Sequence, residues 1–164
     1  VKVGLVRETP YSVHGAQATG CSPISQAFKD GQDFFKPVKP STIAKSLAIG
    51  TPADGFYALK VFNETSGSAE DVTDDEIREG IKLLAETEGI FSETAGGVTV
   101  GVAKKLIASG AIPADDSAVL CVTGNGLKTL DAVENHAGRT REISPSLREF
   151  DALLDSDKSL TASK

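Results

Sequence analysis

Short apolar segments alternate with amphipathic stretches along the first four-fifths of the chain. Residues 13–18 predict a short strand, and Pro23 begins a helix that runs to about Asp30 and stops at Gly31, a residue that readily takes the left-handed conformation of a helix end. The same patterns predict further elements: helices at 41–50, 54–65 and 94–109, a link or edge strand at 68–72 and a short strand at 90–91. This order is typical of an α/β sheet with helices on its faces.

One helix has a distinct start signal. Thr73 and Glu76 form a capping box, in which the hydroxyl and the carboxylate each bind an N–H group that the helix leaves free. An apolar stripe at helical spacing follows, made of Ile77, Ile81, Leu84 and Ala85. Gly89 ends the helix. The carboxylates at the N-terminus of this helix are interpreted as capping groups, favoured there by the helix dipole, and not as metal ligands.

The run at 118–122 is apolar on both faces, which predicts a buried parallel strand. Thr123-Gly124-Asn125-Gly126 follows it, and ligands of open α/β sheets bind at the carboxyl ends of strands. A second candidate is Glu93, a carboxylate followed by small residues that open a helix. The residues alone leave simpler alternatives open: a tight turn at 123–126, which they favour, and a closely packed helix start after Glu93.

Composition and charge exclude several classes of protein. The 164 residues are 40% apolar and carry a formal charge of −6, which excludes wholesale disorder and argues against nucleic acid as the main partner. No apolar run is long enough to span a bilayer. Cys21 and Cys121 are predicted to be buried thiols in a reducing cytosol. His14 is predicted to be a hydrogen-bonded sheet histidine, and no metal site is expected.

The chain is predicted to have two parts, residues 1–133 and a polar tail at 134–164. The tail should hold a short amphipathic helix at about 145–154, with disorder from Asp155 onward. The helix would present one apolar stripe, made of Leu147, Phe150, Leu153 and Leu154. Because the sequence contains no methionine, we expect it to be a piece of a longer polypeptide.

Five motifs, in order along roughly residues 10–133, resemble the threonine synthases. They are His14–Ile24 (HGAQATGCSPI), Ile43–Pro52, Asp74–Ile77 (DDEI), Glu88–Glu93 (EGIFSE) and Val122–Lys128 (VTGNGLK). The resemblance is to the C-terminal part of that family, so it implies part of a parallel three-layer αβα domain, the fold type II of pyridoxal-phosphate enzymes. Residues 1–133 would then be the C-terminal part of the large cofactor-binding domain.

The resemblance also implies a reaction and a site. The intact enzyme would convert O-phosphohomoserine and water to threonine and phosphate, with pyridoxal phosphate as cofactor. Thr123 would lie beside the pyridine nitrogen, Gly124 and Gly126 would let the loop pass close to the ring, and Glu93 would stand near its edge. Asn125, between the two glycines, would also belong to the cofactor-binding residues. Two positions depart from the family pattern, which often has Pro at position 94 and His in the last loop, where this chain has Thr94 and Asn125.

No catalytic residue is assigned in this chain, because the Schiff-base lysine and the Gly-rich phosphate loop of the family lie upstream of the matched region. Lys29 stands in a similar sequence, Ala27–Gly31 (AFKDG), but its position predicts a solvated lysine at a helix end. The chain alone is therefore expected to be inactive.

Two alternatives remain open. One is another fold-type II enzyme such as threonine dehydratase, and the other is a non-catalytic α/β interaction module. The expected partner is a small amino-acid phosphate, with no nucleic acid or membrane, a possible homodimer and a cytoplasmic location.

Overall fold

A computed structural model describes residues 4–5, 7, 9–134, 136 and 142–156 of the chain. Contacts divide it into two units, Val1–Val133 and Glu134–Lys164. The first unit holds β1 (Gly15–Ala18), α1 (Pro23–Lys29), α2 (Gly55–Glu64), β2 (Ala69–Val72), α3 (Asp74–Glu88) and α4 (Thr94–Ala108), with short 3-10 helices at Lys45–Leu47 and Gly126–Ala132; the second holds α5 (Leu147–Ser156).

The sheet consists of β1 and β2, which pair in parallel from Gly15 opposite Ala69 to Ala18 opposite Val72. The connection between them contains α1 and α2, as parallel pairing requires. Just before β1, His14 Nδ1 accepts a hydrogen bond of 3.1 Å from the Ser68 backbone N–H. The predicted α/β class with a parallel sheet is therefore confirmed, and His14 is hydrogen-bonded as predicted.

Helices α3 and α4 pack against each other and contribute five buried residues to the core beside the sheet. They approach so closely because glycines meet at the crossing: a Cβ on Gly80 would stand 2.4 Å from the Gly97 carbonyl oxygen, and a Cβ on Gly97 would stand 2.4 Å from that of Ile77. The buried side chains around this contact come from both helices and from the strands, and include Val72, Ile77, Ile81, Val98, Val102 and Leu106.

The capping box of α3 is confirmed. Thr73 Oγ1 accepts a hydrogen bond of 3.3 Å from the Glu76 N–H, while the Thr73 N–H donates to Glu76 Oε2 at 2.7 Å. Gly89 ends the helix with a φ of +68°, in the left-handed region that glycine adopts without steric cost. Both ends of α3 are thus determined by local sequence.

Lys29 lies at the last residue of α1, as predicted, but it is paired with charges rather than simply solvated. Its ammonium contacts the Glu70 carboxylate and lies 2.8 Å from Asp71 Oδ2. Desolvation lowers the pKa of Lys29, but the two carboxylates outweigh it, so the net pKa is raised. Since the charges lie on β2, only the folded chain brings them to the helix end.

Two predicted elements are replaced by irregular chain. The helix expected at 41–50 is reduced to the 3-10 turn Lys45–Leu47, where the Leu47 N–H bonds to the Ala44 carbonyl three residues back. Just before this turn, the Thr42 hydroxyl and the Ile43 N–H donate to the Asp74 carboxylate. The strand expected at 90–91 does not form, and only an isolated bridge at Ser92 follows it.

The buried strand predicted at 118–122 is wrong. The segment is irregular, its Val119 side chain is 91% exposed, and no strand among the described residues lies beside it. The Val122 N–H instead donates to the Leu120 carbonyl within the same segment. Cys121 is exposed for the same reason, whereas Cys21 is buried as predicted. An apolar run forms a strand only when a neighbouring strand binds its backbone groups.

The second unit contains α5, whose predicted range of about 145–154 compares with Leu147–Ser156 in the structure. Glu149 accepts hydrogen bonds from the Ser144 hydroxyl and backbone N–H, which hold the chain at the start of the helix. The expected disorder from Asp155 does not apply to Asp155 itself, which is helical, and residues 157–164 lie outside the described range. Among the helices described, none has the length and apolarity needed to cross a membrane.

Candidate functional site

The turn before α4 and the small-residue loop after position 122 lie side by side. The Glu93 N–H donates to the Gly124 carbonyl at 3.0 Å, and the Gly126 N–H donates to the Phe91 carbonyl at 2.9 Å. These two bonds join segments that are far apart in sequence. The structure therefore brings together Glu93 and the loop residues that the sequence analysis assigned to one site.

The loop glycines make room for side chains of this same chain. A Cβ on Gly124 would meet Glu93 Oε1 at 1.7 Å, and a Cβ on Gly126 would meet the Phe91 ring at 2.5 Å. Such distances are far below van der Waals contact, so neither position accepts a larger residue without rearrangement. The sequence analysis related both glycines to a ligand, whereas the described contacts relate them to the packing of Glu93 and Phe91.

Glu93 is a buried carboxylate, with the residue only 4% exposed. Oε1 lies against Gly124, and Oε2 lies 2.9 Å from the Lys128 ammonium. The ammonium does not approach Oε2 with hydrogen-bond geometry, so Oε2 has no hydrogen-bond partner in the described part of the chain. A buried acceptor without a partner is costly, and it is therefore a position where a ligand atom can bind.

Two hydroxyls beside Glu93 also lack a hydrogen-bond partner among the described residues. They are Ser92 Oγ and Thr94 Oγ1, and both are buried. The Thr94 N–H, by contrast, donates to Thr129 Oγ1 at 3.3 Å. Proline, which the resemblance leads one to expect at position 94, has no N–H and would lose this bond. Three consecutive residues at the start of α4 thus carry unused polar atoms.

The other two assigned side chains face outward. Thr123 is exposed, and its hydroxyl makes no hydrogen bond within the described ranges. Asn125 is exposed too, but its Oδ1 accepts a hydrogen bond of 2.9 Å from the Leu127 N–H and so caps the following 3-10 helix. Thr123 is free to bind a ligand, whereas Asn125 has a structural role already.

Comparison with known proteins decides the family. Residues 4–124 match the family model of pyridoxal-phosphate dependent enzymes. The chain belongs to this family. Its cofactor is accordingly pyridoxal phosphate, as predicted.

Individual relatives show which members of this family the chain resembles. The threonine synthase of Methanocaldococcus jannaschii is 42% identical over 130 residues, which are 79% of this chain and 32% of that protein. The threonine synthase of Methanosarcina acetivorans is 40% identical over 77% of this chain and 31% of its own length. The chain thus spans about a third of the length of these relatives. The predicted resemblance to a part of threonine synthase is confirmed.

A solved structure supports the fold. Maize serine racemase has a TM-score of 0.53 to this chain, covering 89% of it and 39% of the racemase chain, at 14% sequence identity. At that identity the likeness shows the fold alone.

The residues at the start of α4 fit a polar cofactor, because two buried hydroxyls and a carboxylate oxygen there have no hydrogen-bond partner among the described residues. They lie beside the loop that carries the exposed Thr123. From the sequence alone, no role in this cluster was predicted for Ser92, Lys128 or Thr129. Lys128 stands within the motif Val122–Lys128, so the motif was a signal for it. Nothing local indicates that its charge lies against Glu93.

Proposed function

We propose that this chain forms the C-terminal part of a threonine synthase, which converts O-phosphohomoserine and water to threonine and phosphate. The family and the similarity to proteins named threonine synthase support the proposal. The observation that carries it within the structure is the contact of buried Glu93 with Gly124, beside buried polar atoms that have no hydrogen-bond partner among the described residues. Buried polar atoms normally have such partners, so these atoms suit contact with a polar ligand.

Thr123 is proposed to bind the pyridine nitrogen through its hydroxyl. Pyridoxal phosphate supplies an electron sink when it is bound, and the protein supplies orientation and tuning. A neutral hydroxyl cannot hold a proton at the ring nitrogen as strongly as a carboxylate can. Thr123 would thereby favour elimination and replacement over transamination.

Glu93 is proposed to orient the cofactor or a neighbouring group from the edge of the ring. Oε2 lies 2.9 Å from the Lys128 ammonium and has no hydrogen-bond partner among the described residues, so the carboxylate can still accept a hydrogen bond. Gly124 and Gly126 keep the loop against residues 91–93, and Asn125 holds the direction of the chain after it by capping the 3-10 helix. The loop would then present Thr123 at a set position.

The intact enzyme allows a direct test of the reaction. We expect release of phosphate from O-phosphohomoserine that depends on added pyridoxal phosphate. Loss of ammonia from threonine, with no phosphate release from O-phosphohomoserine, would instead establish a dehydratase. Binding of pyridoxal phosphate without turnover of either substrate would contradict the proposed reaction and leave the cofactor site in place.

The role of Thr123 is tested by two substitutions in the intact enzyme. Thr123→Asp should hold a proton at the pyridine nitrogen and raise the share of transamination among the products. Thr123→Ser keeps the hydroxyl and should retain the original product ratio. If Thr123→Asp gives that same ratio, the hydroxyl does not have the proposed role.

The 164-residue chain alone is proposed to bind pyridoxal phosphate weakly and to be inactive. Lys29, in a sequence similar to the family's lysine motif, is held by two carboxylates and has a raised pKa. A protonated amine is a poor nucleophile, so Lys29 is unsuited to form a Schiff base. A stoichiometric visible absorption band on mixing the chain with pyridoxal phosphate would contradict this proposal.

We also propose that the intact enzyme lies in the cytoplasm and that it forms a homodimer. Two unpaired thiols, Cys21 and Cys121, suit a reducing compartment. Fractionation of cells and the molar mass of the intact enzyme in solution are the respective measurements.

A further inference from the structure

The charge of Glu93 requires a partner, because an isolated carboxylate is costly to bury. Its side chain is 5% exposed, and the cation beside it is Lys128, with Nζ 2.9 Å from Oε2. Among the described residues no other lysine, arginine or histidine forms an ion pair with Glu93. Lys128 is therefore the group that compensates the charge of Glu93 within the described structure.

Lys128 is placed by the loop itself. It lies in the 3-10 helix Gly126–Ala132, which begins where Asn125 Oδ1 binds the Leu127 N–H. The next residue, Thr129, accepts the hydrogen bond from the Thr94 N–H. Two consecutive residues of this short helix thus contact two consecutive residues at the start of α4, which fixes how the loop lies against Glu93.

The lysine side chain is 62% exposed, so its carbon stem reaches inward while solvent still reaches part of it. Exposed lysines usually contribute little through a single ion pair. Here the partner is buried, and removing one member of such a pair leaves the other charge uncompensated. Lys128 therefore matters to the Glu93 carboxylate, whose buried charge would be left uncompensated without it.

We propose that Lys128 is a positioning residue that holds the Glu93 carboxylate in place against Gly124. The inference rests on the proposed function only in assigning Glu93 to the cofactor. Lys128 acts through Glu93, and it acts as a cation. Arginine should therefore replace it, whereas an uncharged side chain of similar length should not.

The test is a double-mutant cycle on the intact enzyme, read out as the Kd of the apoenzyme for pyridoxal phosphate. Lys128→Met should weaken binding about tenfold, a coupling within the usual range for contacting residues. Lys128→Arg should restore most of the affinity. In a Glu93→Gln background, where no charge needs compensation, Lys128→Met should change the Kd less than about twofold.

Lys104→Met is the matched control, because Lys104 is an exposed lysine on α4 that forms no ion pair with the described residues. It should leave the Kd unchanged. The inference would be overturned if Lys128→Met weakened the binding of pyridoxal phosphate equally with Glu or with Gln at position 93. It would also be overturned if Lys128→Met kept the full affinity for pyridoxal phosphate. If Lys128→Met does not fold, as judged by circular dichroism, folding of the Lys128→Met, Glu93→Gln double variant supports the inference and its failure to fold overturns it.

The readout separates this inference from the proposed reaction. An enzyme that shows the coupling in cofactor binding but releases no phosphate from O-phosphohomoserine retains the role of Lys128 and loses the reaction. An enzyme that releases phosphate without the coupling retains the reaction and loses the role. An apoenzyme that does not bind pyridoxal phosphate overturns the inference together with the cofactor site.

Discussion

The body and the start of α4 differ in how completely the chain itself supplies partners for their buried groups. Along the body of the helix, Val98, Val102 and Leu106 are buried against α3 and the sheet. At its start, Ser92, Glu93 and Thr94 are just as buried, yet each has a polar side-chain atom without a hydrogen-bond partner in the described structure. The apolar segment 118–122, which leads to the loop 123–126 beside the start of α4, is largely exposed, and Val119 is an example.

The difference separates what a core needs from what a site needs. An apolar side chain is stabilised by any close-packed neighbour, whereas a buried polar atom needs a partner at a particular distance and angle. The body of α4 finds its neighbours within the chain. Its start has buried polar groups whose partners are missing from the described residues, and a ligand site has this property.

The largest effect is expected where α3 and α4 cross. Gly97→Ala should lower the free energy of unfolding of the chain by about 3 kcal/mol, because the new Cβ would stand 2.4 Å from the Ile77 carbonyl oxygen, and backbone atoms move only with the helix. Urea unfolding followed by circular dichroism measures it.

Gly101→Ala is the control on the same helix, since its Cβ would meet Val72 Cγ1 at 3.1 Å. The gain in helix propensity offsets that contact, so the change should stay within about 1 kcal/mol. Equal losses for both variants would show that the close crossing of the two backbones does not matter.

An intermediate effect should distinguish two serines that are each 1% exposed. Ser25 Oγ donates to the Glu70 carbonyl at 3.1 Å, whereas Ser92 Oγ has no hydrogen-bond partner among the described residues. Ser25→Ala should therefore destabilise the chain by about 1 kcal/mol, and Ser92→Ala should leave its stability unchanged or raise it.

The same urea unfolding experiment measures both serine variants. The contrast between the start of α4 and a buried site with satisfied hydrogen bonds fails if Ser92→Ala costs as much stability as Ser25→Ala. In the intact enzyme with pyridoxal phosphate bound, we expect the order to reverse for cofactor affinity, with Ser92→Ala the more harmful change.

The smallest effect is expected for the stability of the chain at acid pH. Burial raises the pKa of Asp71, but hydrogen bonds from Lys29 and Thr19 outweigh burial and leave the pKa below its ordinary value of 3.8. A carboxyl group with a lowered pKa stabilises the fold above its unfolded pKa, and this stability is lost as the pH falls through the folded value. Stability should therefore drop below about pH 4.

Lys29→Gln should reduce that acid dependence, because it removes a group that lowers the Asp71 pKa. Lys60→Gln, at an exposed pair on α2 with Nζ 3.7 Å from Glu64 Oε1, should leave it unchanged. Thermal unfolding across the acid range measures both variants, and the same acid slope in the two would contradict the assignment to Asp71.

The sequence predicted those parts of the fold that depend on near neighbours. The capping box at Thr73 and the left-handed end at Gly89 each involve residues within one or two helical turns. The helix at 41–50 was predicted from local signals, but only a 3-10 turn forms there, and the residues before it bind the distant Asp74 carboxylate. The strand at 118–122 was wrong because its hydrophobic pattern does not supply the partner strand.

The site was predicted in the same uneven way. Motifs predicted Glu93 and the loop 123–126 as one site, and the structure places them in contact, although their roles toward the cofactor stay proposals. Lys128 was not predicted as a site residue. An ion pair between residues so far apart depends on how the chain folds, which periodicity and spacing do not encode.

By itself, the sequence determined the helices with clear end signals, the α/β class and the family, because each depends on local residue order. Tertiary structure alone decided that Lys128 lies against Glu93 and that Gly97 must lack a side chain. It also decided that three buried polar atoms have no hydrogen-bond partner in the part of the chain that the structure describes. Hydrogen bonds and ion pairs act over a few ångströms in space, and only the folded chain determines which distant residues come within that distance.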